Sequence, residues 1–116
     1  MRNLIFTVFL YFIFFDGRTT LGKGILIGGW KPIPDVTDPL VVDIGRFAVD
    51  EHNKKNQATL KFRKVVSGER QVVAGMDYNL TIMAVNGGLI NKYVAVVWDK
   101  PMQKFRQLVS FKGSIV

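Results

Sequence analysis

Gln71-Val72-Val73-Ala74-Gly75 lies between two long alternating segments, where a hairpin turn belongs. Hairpin turns ordinarily carry Asn, Asp, Gly or Pro, which supply positive or preset φ. This one carries three apolar side chains in a row and one closing Gly. An apolar tip beyond two strands cannot easily bury itself in its own core, and exposed apolar patches mark interaction sites. The plainer reading is that Val72 and Val73 simply finish a strand.

The flanks read as strands. Before the tip, Leu60 and Phe62 alternate with Lys61 and Arg63; the pattern slips near Lys64-Val65, as at a bulge, then runs on from Val65 to Gln71. After the tip, Tyr78, Leu80, Ile82 and Ala84 share one face, and Asn79, Thr81, Met83 and Val85 the other. Asn86-Gly87-Gly88 signals a tight turn. Tyr93 to Trp98 predicts a third long strand and Lys104 to Lys112 a fourth, with Asp99-Lys100-Pro101-Met102 as a second hairpin tip.

Upstream, Asp38-Pro39 predicts a helix start, with Asp as N-cap and Pro at the first helical position. The helix should run to about Gln57 and close on Lys54 and Lys55, which suit the negative end of the macrodipole. At 100° per residue, Leu40, Val41, Ile44, Phe47 and Ala48 share one face, opposite Asp43, Arg46, Asp50, Asn53 and Lys54. Gly45 inside the helix costs about 1 kcal/mol against Ala, which points to close approach of the helix to a sheet. One helix followed by an antiparallel meander gives an α+β fold, with the sheet wrapped around the helix.

Leu4 to Phe15 is apolar but for Thr7 and follows Arg2. It is too short to span about 30 Å of hydrocarbon and fits the core of a secretory signal peptide. Small residues around Thr20-Leu21-Gly22 place the expected leader at 1–22 and the mature domain at 23–116. Cleavage would remove Arg2, Arg18 and Asp16, a net loss of one positive charge from the +7 of the whole chain, so the mature domain stays basic. Without cysteine it has no disulfide framework and must hold together by its core. Pro32, Pro34 and Pro39 keep the connection into the helix extended.

No catalytic set emerges. His52 is the sole histidine and lies on the predicted helix, and nucleophile–base pairs or metal clusters are missing. The chain is therefore not expected to be an enzyme, and no cofactor or metal is expected. Lys61, Arg63, Lys64 and Arg70 could touch phosphates, but no aromatic residues interleave with them, so a solvated outer face is the expectation and nucleic acid is not a predicted partner. Asn79-Leu80-Thr81 is a candidate N-glycosylation sequon.

Taken together, Gln71-Val72-Val73-Ala74-Gly75, the helix stretch Ile44-Gly45-Arg46-Phe47-Ala48-Val49-Asp50-Glu51-His52-Asn53 and the pair Gly28-Gly29 resemble the plant cystatins, inhibitors of papain-like cysteine proteases. The first matches that family's Gln-x-Val-x-Gly loop. The likeness spans about Gly28 to Lys112. It implies a five-stranded antiparallel sheet wrapped on one helix, and a wedge of three segments that enters the protease cleft. These segments are Gly28 and Gly29; Gln71, Val72, Val73, Ala74 and Gly75; and Pro101 with Met102. The family's second loop is normally Pro-Trp, so Met102 departs from the pattern and a weakened inhibitor is expected. Trp98, in the preceding strand, is not read as its replacement.

The expected leader at 1–22 implies a secreted protein, extracellular or vacuolar. Its expected partners are papain-like proteases of the plant itself or of herbivores or pathogens, with no membrane contact in the mature form. A monomer is expected, with a domain-swapped dimer through the first loop as the alternative state. The competing functional reading is a cystatin-fold binding or storage protein with weak or lost inhibition.

Overall fold

The computed structural model describes residues 29–114; the expected leader and Gly28 lie outside the described residues. The elements run β1 (Lys31–Pro32), α1 (Pro39–Asn56), β2 (Lys61–Val73), β3 (Gly75–Asn86), β4 (Leu89–Lys100) and β5 (Phe105–Gly113), with a 3-10 turn at Pro101–Gln103. The strands form one antiparallel sheet in sequence order, and α1 packs across it.

Helix α1 starts where the sequence predicts. The Asp38 carboxylate accepts from the Leu40 amide at 2.9 Å, and Pro39 takes the first position. The helix stops at Asn56, where Gln57 turns left-handed and donates its amide to the Asn53 carbonyl. Val41, Ile44, Ala48 and Val49 face Val65, Leu80, Ile82, Ala84, Ala95, Val97 and Leu108 in one buried core. Leu40 departs from the predicted face: it is 46% exposed, in the first turn of the helix. Asn53 departs in the other direction. Its side chain donates to the Leu60 carbonyl at 2.9 Å and accepts from the Leu60 amide at 3.0 Å, tying the helix end to the chain entering β2.

Gly45 is the contact point between helix and sheet. A Cβ there would lie 2.8 Å from Val65 Cγ2 and 3.0 Å from Phe62 Cε1, closer than packed side chains allow. The slip read near Lys64-Val65 is a pair of register shifts, between Phe62 and Lys64 and between Val65 and Ser67. Such bulges increase local twist, which helps a sheet curve around one helix.

Residues Tyr78, Leu80, Ile82 and Ala84 face the core as predicted. The β3–β4 turn is Gly87-Gly88, both at positive φ, as a two-residue hairpin loop requires. The predicted basic cluster divides between faces. Lys61 and Lys64 pair with Val85 and Met83 on the outer side, whereas Arg70 pairs with core-facing Tyr78.

Candidate functional site

The first hairpin closes as tightly as a ladder can. Val73 pairs with Gly75, so Ala74 alone forms the tip. Gly75 has φ +94°, and a Cβ on it would sit 2.5 Å from the Asp99 carbonyl oxygen and 2.6 Å from Lys100 Cγ. Only glycine satisfies both the conformation and the space. Val72 and Val73 do finish strand β2, as the plainer reading had it, yet they are 67% and 38% exposed, so the strand's apolar end reaches solvent.

At the base of this tip Gln71 faces Asp77 across the ladder, with Gln71 Nε2 3.4 Å from Asp77 Oδ2. Burial pushes the Asp77 carboxyl above the ordinary carboxylate range, and the Gln71 contact offsets only part of that.

The second tip begins later than the sequence suggests. Asp99 and Lys100 still pair with Arg106 and Phe105, and the turn proper is Pro101 to Lys104. Lys104 adopts φ 51° and donates its amide to the Pro101 carbonyl at 3.1 Å. Met102 projects from this turn, 96% exposed. Beneath it, buried Asp99 accepts from Arg106 Nε at 2.9 Å, and Arg106 Nη1 reaches Asp43 on α1 at 2.9 Å. Burial works against the guanidinium's charge, but its hydrogen bonds to Asp99 and Asp43 outweigh this and hold it protonated.

On the other side of the first tip, β1 pairs Lys31 with Arg70, and the Ile33 amide donates to the Gly68 carbonyl at 2.9 Å. That places Gly29 in a depression it shares with Lys31, Pro32, Arg70, Gln71 and Val72. A second depression, between the tips, is lined by Ala74, Gly75, Lys100, Pro101, Met102 and Gln103. The three candidate segments thus adjoin along one edge of the molecule, with the first hairpin in the middle; Gly28 is outside the described residues.

One participant escaped the sequence reading. Trp98 lies in β4, as read, but its indole Nε1 donates to the Ala74 carbonyl at 2.6 Å, across 24 residues. Phe105 meets the indole edge-on at 5.5 Å between centroids, and Lys100 Nζ stands 4.6 Å above it. The only sequence signal was Trp98's place on the strand leading into the second tip.

The described residues lining these two depressions include no Ser, Thr, Cys or His. His52 stacks on Phe111 at 4.1 Å between centroids, a packing role. Among the described residues no three His, Cys, Asp or Glu side chains gather as a metal site, and no helix is long and apolar enough to cross a membrane. Asn79 faces away from the core, between Glu69 and Val96 on neighbouring strands.

Residues 33–114 match the protein family described as "SQAPI: Aspartic acid proteinase inhibitor". The chain is 56% identical over 87 residues to "Cysteine proteinase inhibitor 5" of Arabidopsis thaliana, an alignment covering 74% of this chain and 71% of that one. It is 47% identical over 90 residues to "Cysteine proteinase inhibitor 1" of Actinidia chinensis var. chinensis, covering 78% of each. Among solved structures it is similar in fold to a salivary cystatin of the soft tick Ornithodoros moubata. The TM-score is 0.66 at 24% identity, over 77% of this chain and 99% of that one.

Proposed function

This chain belongs to the plant cystatin family, and from that premise we propose that it is a reversible, competitive inhibitor of papain-like cysteine proteases. Its trunk around Gly28 and Gly29, its first loop Gln71 to Gly75 and its second loop at Pro101 and Met102 enter the cleft as one wedge. The observation that carries this reading is the continuous edge on which Gly29, the Ala74 tip and Pro101 stand side by side. Val72 and Val73 supply apolar contact from a rigid hairpin, which lowers the ordering cost of association. No bond to the protease is needed: a filled cleft excludes substrate. Complexes of this kind bury about 800 Å² on each partner.

The matching family's description names aspartic proteinases, whereas the relatives at 47–56% identity are named for cysteine proteinases. We weigh the relatives more heavily, because they match specific sequences over most of the domain. We also propose that residues 1–22 direct the chain into the secretory pathway. A glycan on Asn79 would point away from the sheet's core face and leave the edge free.

Titration of papain and of pepsin with the purified protein, side by side, tests the class. Papain should be inhibited competitively, with activity recovered on dilution, and pepsin should not. Inhibition of pepsin alone would assign the protein to the other class. A folded protein that inhibits neither would be a binding or storage protein on this fold.

A further inference from the structure

The indole of Trp98 is only half-buried, and the Ala74 carbonyl stands at an exposed tip, so water could satisfy both groups if they separated. Their 2.6 Å hydrogen bond is therefore worth no more to folding than one ordinary hydrogen bond. What it does is local. Ala74 is the single residue between paired Val73 and Gly75, and tying its carbonyl to β4 fixes the orientation of the whole tip.

The indole is itself held from two sides. Phe105 supports it edge-on, and Lys100 Nζ lies 4.6 Å over the Trp98 ring and 5.3 Å over Phe105. Lys100 also packs its stem against Gly75, where a Cβ would meet its Cγ at 2.6 Å. Trp98 and Lys100, from the second hairpin, thus reach Ala74 and Gly75 of the first, and Phe105 backs the indole. Met102, by contrast, is almost wholly exposed.

We propose that Trp98 is a positioning residue: backed by Phe105 and Lys100, its indole N–H locks the Ala74 tip in the shape that enters the cleft. The second hairpin then acts as a brace for the first as well as a contact of its own. This rests on the inhibitory reading above for its consequence, but not for its geometry. A preformed tip loses less freedom on binding, and differences of this kind among variants of one interface fall mainly on dissociation.

Trp98→Phe keeps a ring against Phe105 and removes only the donor. Three quantities separate the brace from a general structural role: melting temperature, amide hydrogen exchange over Val73 to Met76, and association and dissociation rates with papain. The expected result is tip exchange and dissociation each faster by about tenfold, the equivalent of one ordinary hydrogen bond, with a melting temperature lowered by no more than the roughly 10 °C that one such bond accounts for. Association should change little. Tip exchange and dissociation equal to the parent's would overturn the proposal. So would a melting temperature lowered by well over about 10 °C, more than one hydrogen bond supplies, which would mean global loosening. Should the parent itself fail to inhibit papain, the inhibitory reading falls, and tip exchange alone decides for or against the brace.

Discussion

Arg106 Nε donates to Asp99 Oδ1 at 2.9 Å, and Asp99 is only 3% exposed, at the end of the strand that carries the second loop. A carboxylate so buried needs its partner: removing one member of such a pair costs about 3–5 kcal/mol, because the other is left charged and unsolvated. Arg106→Ala should therefore lower unfolding free energy by about 3 kcal/mol in urea denaturation. Adding Asp99→Asn should restore part of the loss. A cost below about 1 kcal/mol for Arg106→Ala would mean that water reaches Asp99 freely.

Gly75→Ala should damage shape before it damages folding. The substituted residue would be strained at φ +94° and would meet the Asp99 carbonyl. Strain of this type costs about 1–3 kcal/mol, and relief requires the tip to move away from β4. The expected outcome is a loss of about 2 kcal/mol in stability together with inhibition weakened by more than tenfold. Parent-like inhibition would mean that the tip tolerates displacement.

Asp77 gives a pH dependence of definite sign. Burial raises its carboxyl pKa in the folded state, so the folded protein holds that proton more tightly than the unfolded chain does. Its contribution to stability is present in acid, below the ordinary carboxylate range, and is lost as pH rises through the raised folded pKa. Asp77→Asn, which still offers Gln71 an acceptor, should raise the melting temperature at neutral pH. The advantage should shrink toward about pH 3, where the parent's carboxyl is protonated too. Equal melting temperatures across the whole range would contradict the burial argument.

Much of the fold was legible because its signals are local. Asp38-Pro39 announces the helix, Tyr78 to Ala84 alternates cleanly, and Gly87-Gly88 marks its turn. The misses share a physical cause, since they depend on contacts distant in sequence. Leu40 has the right helical angle yet stays exposed. Asn53 carries a polar side chain inward because the Leu60 backbone waits there. Strand β1 spans two residues, too few to show periodicity, and entered the expected fold only through the family resemblance. At the site, the apolar tip and the glycine were readable. Neither the reach of Trp98 to Ala74 nor the bridge from Arg106 to Asp43, 63 residues away, leaves a mark in local sequence.

Met102 bears on strength rather than on class. It is exposed at the second tip, where an aromatic anchor would find the same space, and Trp anchors at interfaces are worth about 2 kcal/mol or more. Met102→Trp should tighten inhibition of papain by up to roughly thirtyfold and leave stability unchanged. An unchanged inhibition constant would mean that the second loop acts on the protease only through the first.

Placement of the Val72-Val73-Ala74 tip inside the protease cleft is what the proposed inhibition requires. Its most direct test is the papain inhibition constant of Val73→Asp beside that of the parent, with circular dichroism to confirm that both are folded. A carboxylate at the strand's exposed end should leave the fold intact but cannot enter an apolar cleft without losing its water. The parent should inhibit at nanomolar levels, and the variant should lose at least about a hundredfold. Equal inhibition by the two folded proteins would contradict that placement.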